Sequence, residues 1–192
     1  LGLGLGLGLG LGLGLGLTPG IHSSWTASYD AAKAAGAALA SQLASRRLGR
    51  RPVSLYAVSL GARVVWHCLE VLAALPERCG EGLVQDVLLL GAPVTANSTR
   101  WERVGTVVAG RLINAYVPAD ELLGSLYRLD HQRSTGCCGR ERVEPPGRVE
   151  NYDATPHVAA DSHSYHFALP AVVEAVGLFP TANDDHGYVD AD

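Results

Sequence analysis

Charged residues are scarce in this sequence, and they form no basic surface. Only 18% of the 192 residues are Asp, Glu, Lys or Arg, and the net charge is −4. No stripe of Lys and Arg is present of the kind that binds a phosphate backbone. The composition therefore argues against nucleic acid as a partner and is typical of a compact globular protein.

Signals for secretion, for a metal and for a nucleotide are also missing. The four cysteines, Cys68, Cys79, Cys137 and Cys138, follow no secretory signal, so we expect free thiols in a reducing compartment. A zinc site built from Cys137, Cys138 and His131 would lack the Cys-x-x-Cys pairs that such sites favour. Neither a P-loop nor a Gly-rich dinucleotide fingerprint occurs. We therefore predict no metal, no cofactor and no secretion, and a membrane-associated or cytoplasmic protein.

The first 17 residues alternate strictly between Leu and Gly. A helix of this composition would be weak, because each interior Gly costs about 1 kcal/mol relative to Ala. The tract is also shorter than the roughly 20 apolar residues of a membrane span. Two interpretations stay open: a simple-sequence expansion, or the remnant of a membrane segment. We predict a low-complexity tract over residues 1–19, one domain over residues 20–179, and a disordered acidic tail over residues 180–192.

The rest of the chain alternates between helical and strand patterns. Val84–Leu90 is a nearly unbroken apolar run, which is typical of a strand buried on both faces of a parallel sheet. An alternation of this kind predicts an α/β fold with helices on both faces of a mostly parallel sheet. The predicted helices cover residues 28–47, 62–75, 101–109, 121–127 and 165–176; the predicted strands cover 52–58, 84–90, 111–117 and 148–153, and a mobile loop covers 130–147.

The strongest local motif is Ala57-Val58-Ser59-Leu60-Gly61, between a predicted strand and a predicted helix. A nucleophile elbow needs small residues two positions before and after its serine, because the backbone turns sharply there. The turn also puts the serine at a helix N-terminus, where backbone N–H groups stabilise a developing oxyanion. Ser59 is therefore the candidate nucleophile, and the Leu60 N–H is the candidate oxyanion donor. A serine that merely caps a helix is the alternative.

A candidate acid and a candidate base follow later strands. Asp120 comes directly after the strand predicted at 111–117, and His157, His163 and His166 follow the strand predicted at 148–153. The order Ser, Asp, His is that of α/β-hydrolases, and active groups in parallel sheets lie at the carboxyl ends of strands. We assign Ser59 as nucleophile, Asp120 as acid and His163 as base, with His166 as the alternative base and His157 as a further rival.

Several blocks together resemble the domain-of-unknown-function family 726, over about residues 25–177. The resemblance implies an α/β-hydrolase fold, membrane association and activity on a lipid or another ester. Ser59, Asp120 and His163 all fall within this range of the resemblance. The blocks are Arg51-Pro52-Val53-Ser54-Leu55, Ser59-Leu60-Gly61-Ala62-Arg63, Leu89-Leu90-Gly91-Ala92-Pro93-Val94, Gly110-Arg111-Leu112-Ile113-Asn114-Ala115-Tyr116 and Arg148-Val149-Glu150-Asn151.

The sequence departs from the family pattern at two points. Ala57 stands where the family usually has Gly, and only one helix precedes the nucleophile strand. We therefore expect the C-terminal part of the hydrolase fold with its early strands missing. The loop after the third strand normally supplies half of the oxyanion hole, which leaves the Leu60 N–H alone. Two functions follow: a serine esterase or lipase acting on an ester or lipid substrate at a membrane surface, or a catalytically inactive scaffold for membrane-associated binding or trafficking.

Overall fold

A parallel sheet with helices on both faces forms the protein. The computed structural model describes residues 19–46, 49, 51–76, 79–130, 136–158 and 165–178. In this part of the chain helices and strands alternate in the order that the sequence predicts. The elements are α1 (Pro19–Ala44), β1 (Val53–Val58), α2 (Ser59–Ala73), β2 (Val84–Leu90), α3 (Ser98–Gly105), β3 (Leu112–Tyr116), α4 (Glu121–Asp130), β4 (Val149–Asp153), a short 3-10 helix (Thr155–His157) and α5 (Tyr165–Ala175).

The four strands are parallel and lie in the order β1-β2-β3-β4. Consecutive parallel strands are joined by α2, α3 and α4, as parallel pairing requires a crossover connection. The carboxyl ends of all four strands therefore meet at one edge of the sheet. The α/β class predicted from the alternating pattern is confirmed.

Alternate residues of β2 face the two layers of the core. Val87 and Leu89 pack with the helices on one face, in a cluster that contains Trp66 and Trp101. Leu88 and Leu90 pack on the other face, in a cluster that contains residues of α5. Burial on both faces explains why this strand is almost continuously apolar in sequence.

Helix α1 lies very close to α2. A Cβ atom added to Gly36 would come within 2.6 Å of the Val64 carbonyl oxygen and 2.7 Å of the His67 Cβ. Only a residue without a side chain permits this approach between the two backbones. Gly36 therefore fixes where α1 crosses α2, the helix that begins at Ser59.

Two helix starts differ from the sequence prediction. α1 begins at Pro19 rather than near residue 28. A proline is compatible with the first turn of a helix, because its missing N–H is not needed there. α2 begins at Ser59 rather than at residue 62. The residue before it, Val58, provides no side-chain cap, so the usual sequence signal of a helix start is absent.

The predicted loop at 130–147 has no helix or regular strand over residues 136–147, but it is packed. Cys138 and Val143 are fully buried, and isolated bridges join Cys137 to Thr95 and Glu144 to Asn97. The prediction of a mobile loop is thus wrong for residues 136–147. Apolar side chains within this polar stretch pack it against the segment after β2. Residues 131–135 lie outside the described part of the chain, as do the Leu-Gly tract up to residue 18 and the acidic tail.

Among the described residues, no helix is both long enough and apolar enough to span a bilayer. The same residues hold no group of three or more His, Cys, Asp or Glu side chains arranged for a metal ion. Cys68, Cys137 and Cys138 are buried free thiols. His131, considered for a zinc site, lies outside the described residues.

Candidate functional site

Ser59 lies in a strained turn directly between β1 and α2. It is the first residue of α2 and has a φ of 50°, in the left-handed region that residues with a Cβ rarely adopt. Such a conformation costs about 1–3 kcal/mol and persists only where the surrounding structure enforces it. This strand-turn-helix geometry is that of a nucleophile elbow.

Small residues flank the serine and allow the turn to close. A Cβ atom added to Gly61 would lie 3.9 Å from the Cβ of Ala57, an ordinary contact distance. Residues 57 and 61 therefore face each other across the turn. Ala57, which replaces the usual glycine of the motif, fits because its methyl group meets no side chain at residue 61.

The Leu60 backbone follows Ser59 in the first turn of α2. The first N–H groups of a helix have no partner within the helix, so the Leu60 N–H belongs to the group of donors that can bind an anion. The Leu60 side chain packs against a small apolar cluster, which we call the edge cluster. Its members are Trp25, Tyr29, Leu123, Leu126, Tyr127 and Cys137.

Asp120 lies beyond the carboxyl end of β3, at the same edge of the sheet as Ser59. Two strand spacings separate β1 from β3, which is about 10 Å. One Asp120 oxygen, Oδ1, accepts a hydrogen bond from the Leu123 N–H at 2.8 Å. The other, Oδ2, accepts one from the Tyr165 hydroxyl. The carboxylate is thus held in place by the first turn of α4 and by a side chain of α5.

Tyr165 was not expected at this edge from the sequence. Its side chain is buried, and a Cβ added to Gly91, directly after β2, would lie 2.4 Å from its ring. The ring therefore lies over the end of β2, the strand between β1 and β3. Burial, together with the charge of Asp120, raises the pKa of the Tyr165 hydroxyl far above its usual value. The hydroxyl therefore stays protonated and donates to Asp120. Gly91, directly after a buried strand, was the one feature of the sequence that indicated a close approach at this point.

The candidate bases differ in what the structure says of them. His163, the predicted base, lies outside the described residues and precedes Tyr165 by two positions in sequence. The ring of His157 shares a hydrogen bond of 2.7 Å with the Tyr152 hydroxyl. His166 is exposed on α5, with its ring 3.9 Å from that of Phe167. Neither of these two rings has a hydrogen bond with Asp120 in the described part of the chain, so the base stays a prediction.

Arg63 lies one turn after Ser59 and links α2 to α1 and to the segment after β2. Its Nε donates to the Tyr29 carbonyl oxygen of α1 at 3.0 Å, and its Nη1 reaches the Pro93 carbonyl oxygen at 3.4 Å. The guanidinium carbon lies 3.3 Å from the centre of the Tyr29 ring, a cation-π contact. Burial lowers the pKa of Arg63, although the group stays a cation.

A short polar network links α2 to α3. Glu70 accepts a hydrogen bond from His67 Nδ1 at 2.8 Å and from Arg100 Nε at 3.2 Å. Burial alone would raise the pKa of Glu70, but these two hydrogen bonds outweigh it and lower the pKa to about 2. His67 is buried on α2.

Comparison with known proteins places the chain in a family. The profile described as "Protein of unknown function (DUF726)" matches residues 13–179. The chain belongs to this family. The resemblance recognised from the sequence motifs is thereby confirmed.

Several curated relatives are similar to this chain over about 130–140 residues. An uncharacterized membrane protein of Caenorhabditis elegans is 38% identical over 74% of this chain and 23% of its own length. The rice transmembrane and coiled-coil domain-containing protein STS1 is 43% identical over 68% of this chain and 19% of its own length. The Saccharomyces cerevisiae protein named probable lipase MIL1 is 31% identical over 68% of this chain and 12% of its own length.

The chain therefore spans less than a quarter of the length of these relatives. No solved structure matches the chain.

Proposed function

We propose that this chain is a serine hydrolase that cleaves carboxylic esters, with lipid esters as its substrate class. The observation that carries the proposal is the left-handed backbone of Ser59 at the turn between β1 and α2. Strain of this kind costs stability and is concentrated at functional sites. A serine that only caps a helix has an extended backbone and needs no such strain.

The reaction uses three side chains and one backbone group. His163 takes the proton of the Ser59 hydroxyl as its oxygen attacks the ester carbonyl. The Leu60 N–H stabilises the negative charge that develops on the carbonyl oxygen. His163 then gives the proton to the leaving alcohol, and water hydrolyses the acyl-enzyme with the same histidine as base. Asp120 holds the imidazole tautomer and stabilises the imidazolium.

The arrangement around Asp120 supports its role in this scheme. A carboxylate offers about four acceptor positions on its two oxygens. The hydrogen bonds from Leu123 N–H and Tyr165 account for one position on each oxygen, and a carboxylate can accept from more donors than these two. His163 lies only two residues before Tyr165, so the chain between them spans at most about 7 Å.

The relatives support the substrate class and a membrane location. The yeast relative is named as a probable lipase, and the worm relative is named as a membrane protein. We extend both to this chain: its substrate is an ester that resides in or at a membrane surface.

A second function has one observation in its favour. Two relatives are named for a membrane or transmembrane location and not for an activity. A chain that shares only this membrane location with them would be a scaffold without catalysis, which binds membrane partners.

Hydrolysis of short p-nitrophenyl esters separates the two functions. We expect the Ser59→Ala variant to lose activity by about a thousandfold or more, since the nucleophile is removed. The matched control is Ser54→Ala, which removes an exposed serine of β1 whose hydroxyl donates a hydrogen bond to Asp86. Activity that is equal in the parent and in Ser59→Ala, with both proteins folded, would favour the scaffold.

A further inference from the structure

A cavity of about 390 Å³ lies beside the nucleophile elbow. Two residues of its lining, Arg63 and Trp66, follow Ser59 by four and seven positions, which places all three along one face of α2. Tyr29 and Tyr127 also line it and belong to the edge cluster on which Leu60 packs. Arg63 is about 6 Å along the helix axis from Ser59. The cavity is therefore close enough to hold another part of a molecule that reacts at the serine.

The cavity carries one positive charge that forms no ion pair in the described part of the chain, although the carboxylates of Asp30 and Glu70 act on it at longer range. Two arginines line it, Arg63 and Arg100. Arg100 is paired with Glu70, so that charge is neutralised. Arg63 forms no ion pair with a carboxylate in the described part of the chain; its contacts there are two carbonyl oxygens and the Tyr29 ring. A half-buried cation in this position favours a negatively charged ligand.

Four hydrogen-bond acceptors around the cavity each accept a hydrogen bond within the described part of the chain. The carbonyl oxygens of Tyr29 and Pro93 accept from Arg63, and the Thr95 carbonyl oxygen accepts from Trp101 Nε1 at 2.8 Å. The Asn97 side-chain oxygen accepts from the Arg100 N–H at 3.1 Å.

Donors, by contrast, remain. Neither Arg63 Nη2 nor Arg100 Nη1 has an acceptor among the described residues. The cavity thus presents guanidinium N–H groups that an acceptor-rich anion can bind.

We infer that this cavity binds a phosphate group, and that the ester cleaved at Ser59 is the ester of a phosphate-carrying lipid. Only the second part of this inference, the identity of the ester, rests on the proposed function. Arginine forks match phosphate oxygens with paired N–H groups. The volume lies at the small end of the range of ligand pockets, about 300–1,000 Å³, and suits a headgroup rather than two acyl chains.

Binding measured on an inactive protein tests the inference without catalysis. The protein is the whole chain with Ser59→Ala, and calorimetric titration compares three probes. These are dihexanoyl phosphatidic acid below its micelle concentration, dihexanoylglycerol with the same chains, and inorganic phosphate. We expect phosphatidic acid to bind at least about tenfold more tightly than either of the others, since only it supplies both charge and apolar contact.

Two further substitutions locate the site. Arg63→Gln and Arg100→Gln, each added to Ser59→Ala, should weaken the binding of phosphatidic acid by about tenfold or more, because each removes a charged donor. Arg100→Gln tests the site even if Arg63→Gln fails to fold, because Arg100 is exposed in the first turn of α3. The matched control is Arg111→Gln, an arginine paired with Glu150 at the opposite edge of the sheet, which should change the affinity by less than about twofold.

The possible outcomes are distinct. Equal binding of phosphatidic acid and dihexanoylglycerol, or affinities that the Arg63 and Arg100 substitutions leave unchanged, would overturn the inference. Inorganic phosphate bound as tightly as the lipid would assign the cavity to free phosphate and overturn its role in holding a substrate. Because no turnover is needed, failure of Ser59 as a nucleophile would show in the ester assay and not in this titration.

Discussion

Two glycines at the carboxyl edge of the sheet should respond differently to substitution by alanine. Gly91 has a φ of 59°, and a Cβ there would lie 2.4 Å from the Tyr165 ring; Gly61 would meet only the Ala57 methyl group, at 3.9 Å. We expect Gly91→Ala to lower the free energy of unfolding by about 1–3 kcal/mol, through both strain and overpacking. Gly61→Ala should be neutral or stabilising by up to about 1 kcal/mol, since Ala favours the helix. Denaturant unfolding of both variants checks this, and equal effects would contradict the contacts described.

In the proposed reaction Tyr165 positions Asp120 through its hydroxyl, which can be removed without changing the ring. Tyr165→Phe keeps the packing on Gly91 but takes away the donor to the carboxylate. We expect kcat for ester hydrolysis to fall by about tenfold with little change in KM, because Asp120 then orients the base less firmly. Denaturant unfolding measures the stability of each variant. Ala168→Gly destabilises α5 at another position and serves as the comparison. If it lowers kcat as much as Tyr165→Phe does, Tyr165 acts only through packing.

At the scale of elements, Glu70 joins α2 to α3 and makes their packing sensitive to pH. The folded protein holds the pKa of Glu70 at about 2, below the ordinary 4.5. Its contribution to stability is therefore complete above about pH 4.5 and is lost as the pH falls toward 2. We expect Glu70→Gln to lower the free energy of unfolding at pH 7 by about 1–2 kcal/mol, a value reduced by solvent screening.

The measurement for Glu70 is thermal unfolding of the parent and of Glu70→Gln between pH 7 and pH 2. The difference between them should shrink as the pH falls and disappear near pH 2. Glu174→Gln serves as the control, because this exposed carboxylate of α5 forms no ion pair in the described part of the chain. A difference between parent and Glu70→Gln that is the same at every pH would contradict the account.

Most elements could be predicted from the sequence, because their patterns reflect burial. The bounds of β2 are those of its apolar run, Val84–Leu90, since that strand is buried on both faces. The start of α2 could not be predicted, since Ser59 enters the helix from a left-handed turn without a side-chain cap. The place of Tyr165 could not be predicted either, because the contact with Asp120 joins residues 45 positions apart.

At the scale of the whole molecule, strand order brings the candidate site together. Ser59 and Asp120 are 61 residues apart in sequence, but β1 and β3 are separated by β2 alone, and both residues follow the carboxyl ends of their strands. The apolar clusters on the two faces hold this order in place. The sequence predicted this placement of Ser59 and Asp120, since parallel strands joined by helices end at one edge, whereas the place of His163 stays a prediction.

The most direct test of the central claim is covalent labelling of the folded chain with a fluorophosphonate, followed by mapping of the adduct by peptide mass spectrometry. An activated serine attacks this reagent, whereas an ordinary surface serine does not. We predict one adduct, on Ser59, which is absent from Ser59→Ala and retained in Ser54→Ala. A folded protein that takes no label, or that takes it equally on Ser54 and Ser59, would contradict the assignment of Ser59 as a catalytic nucleophile.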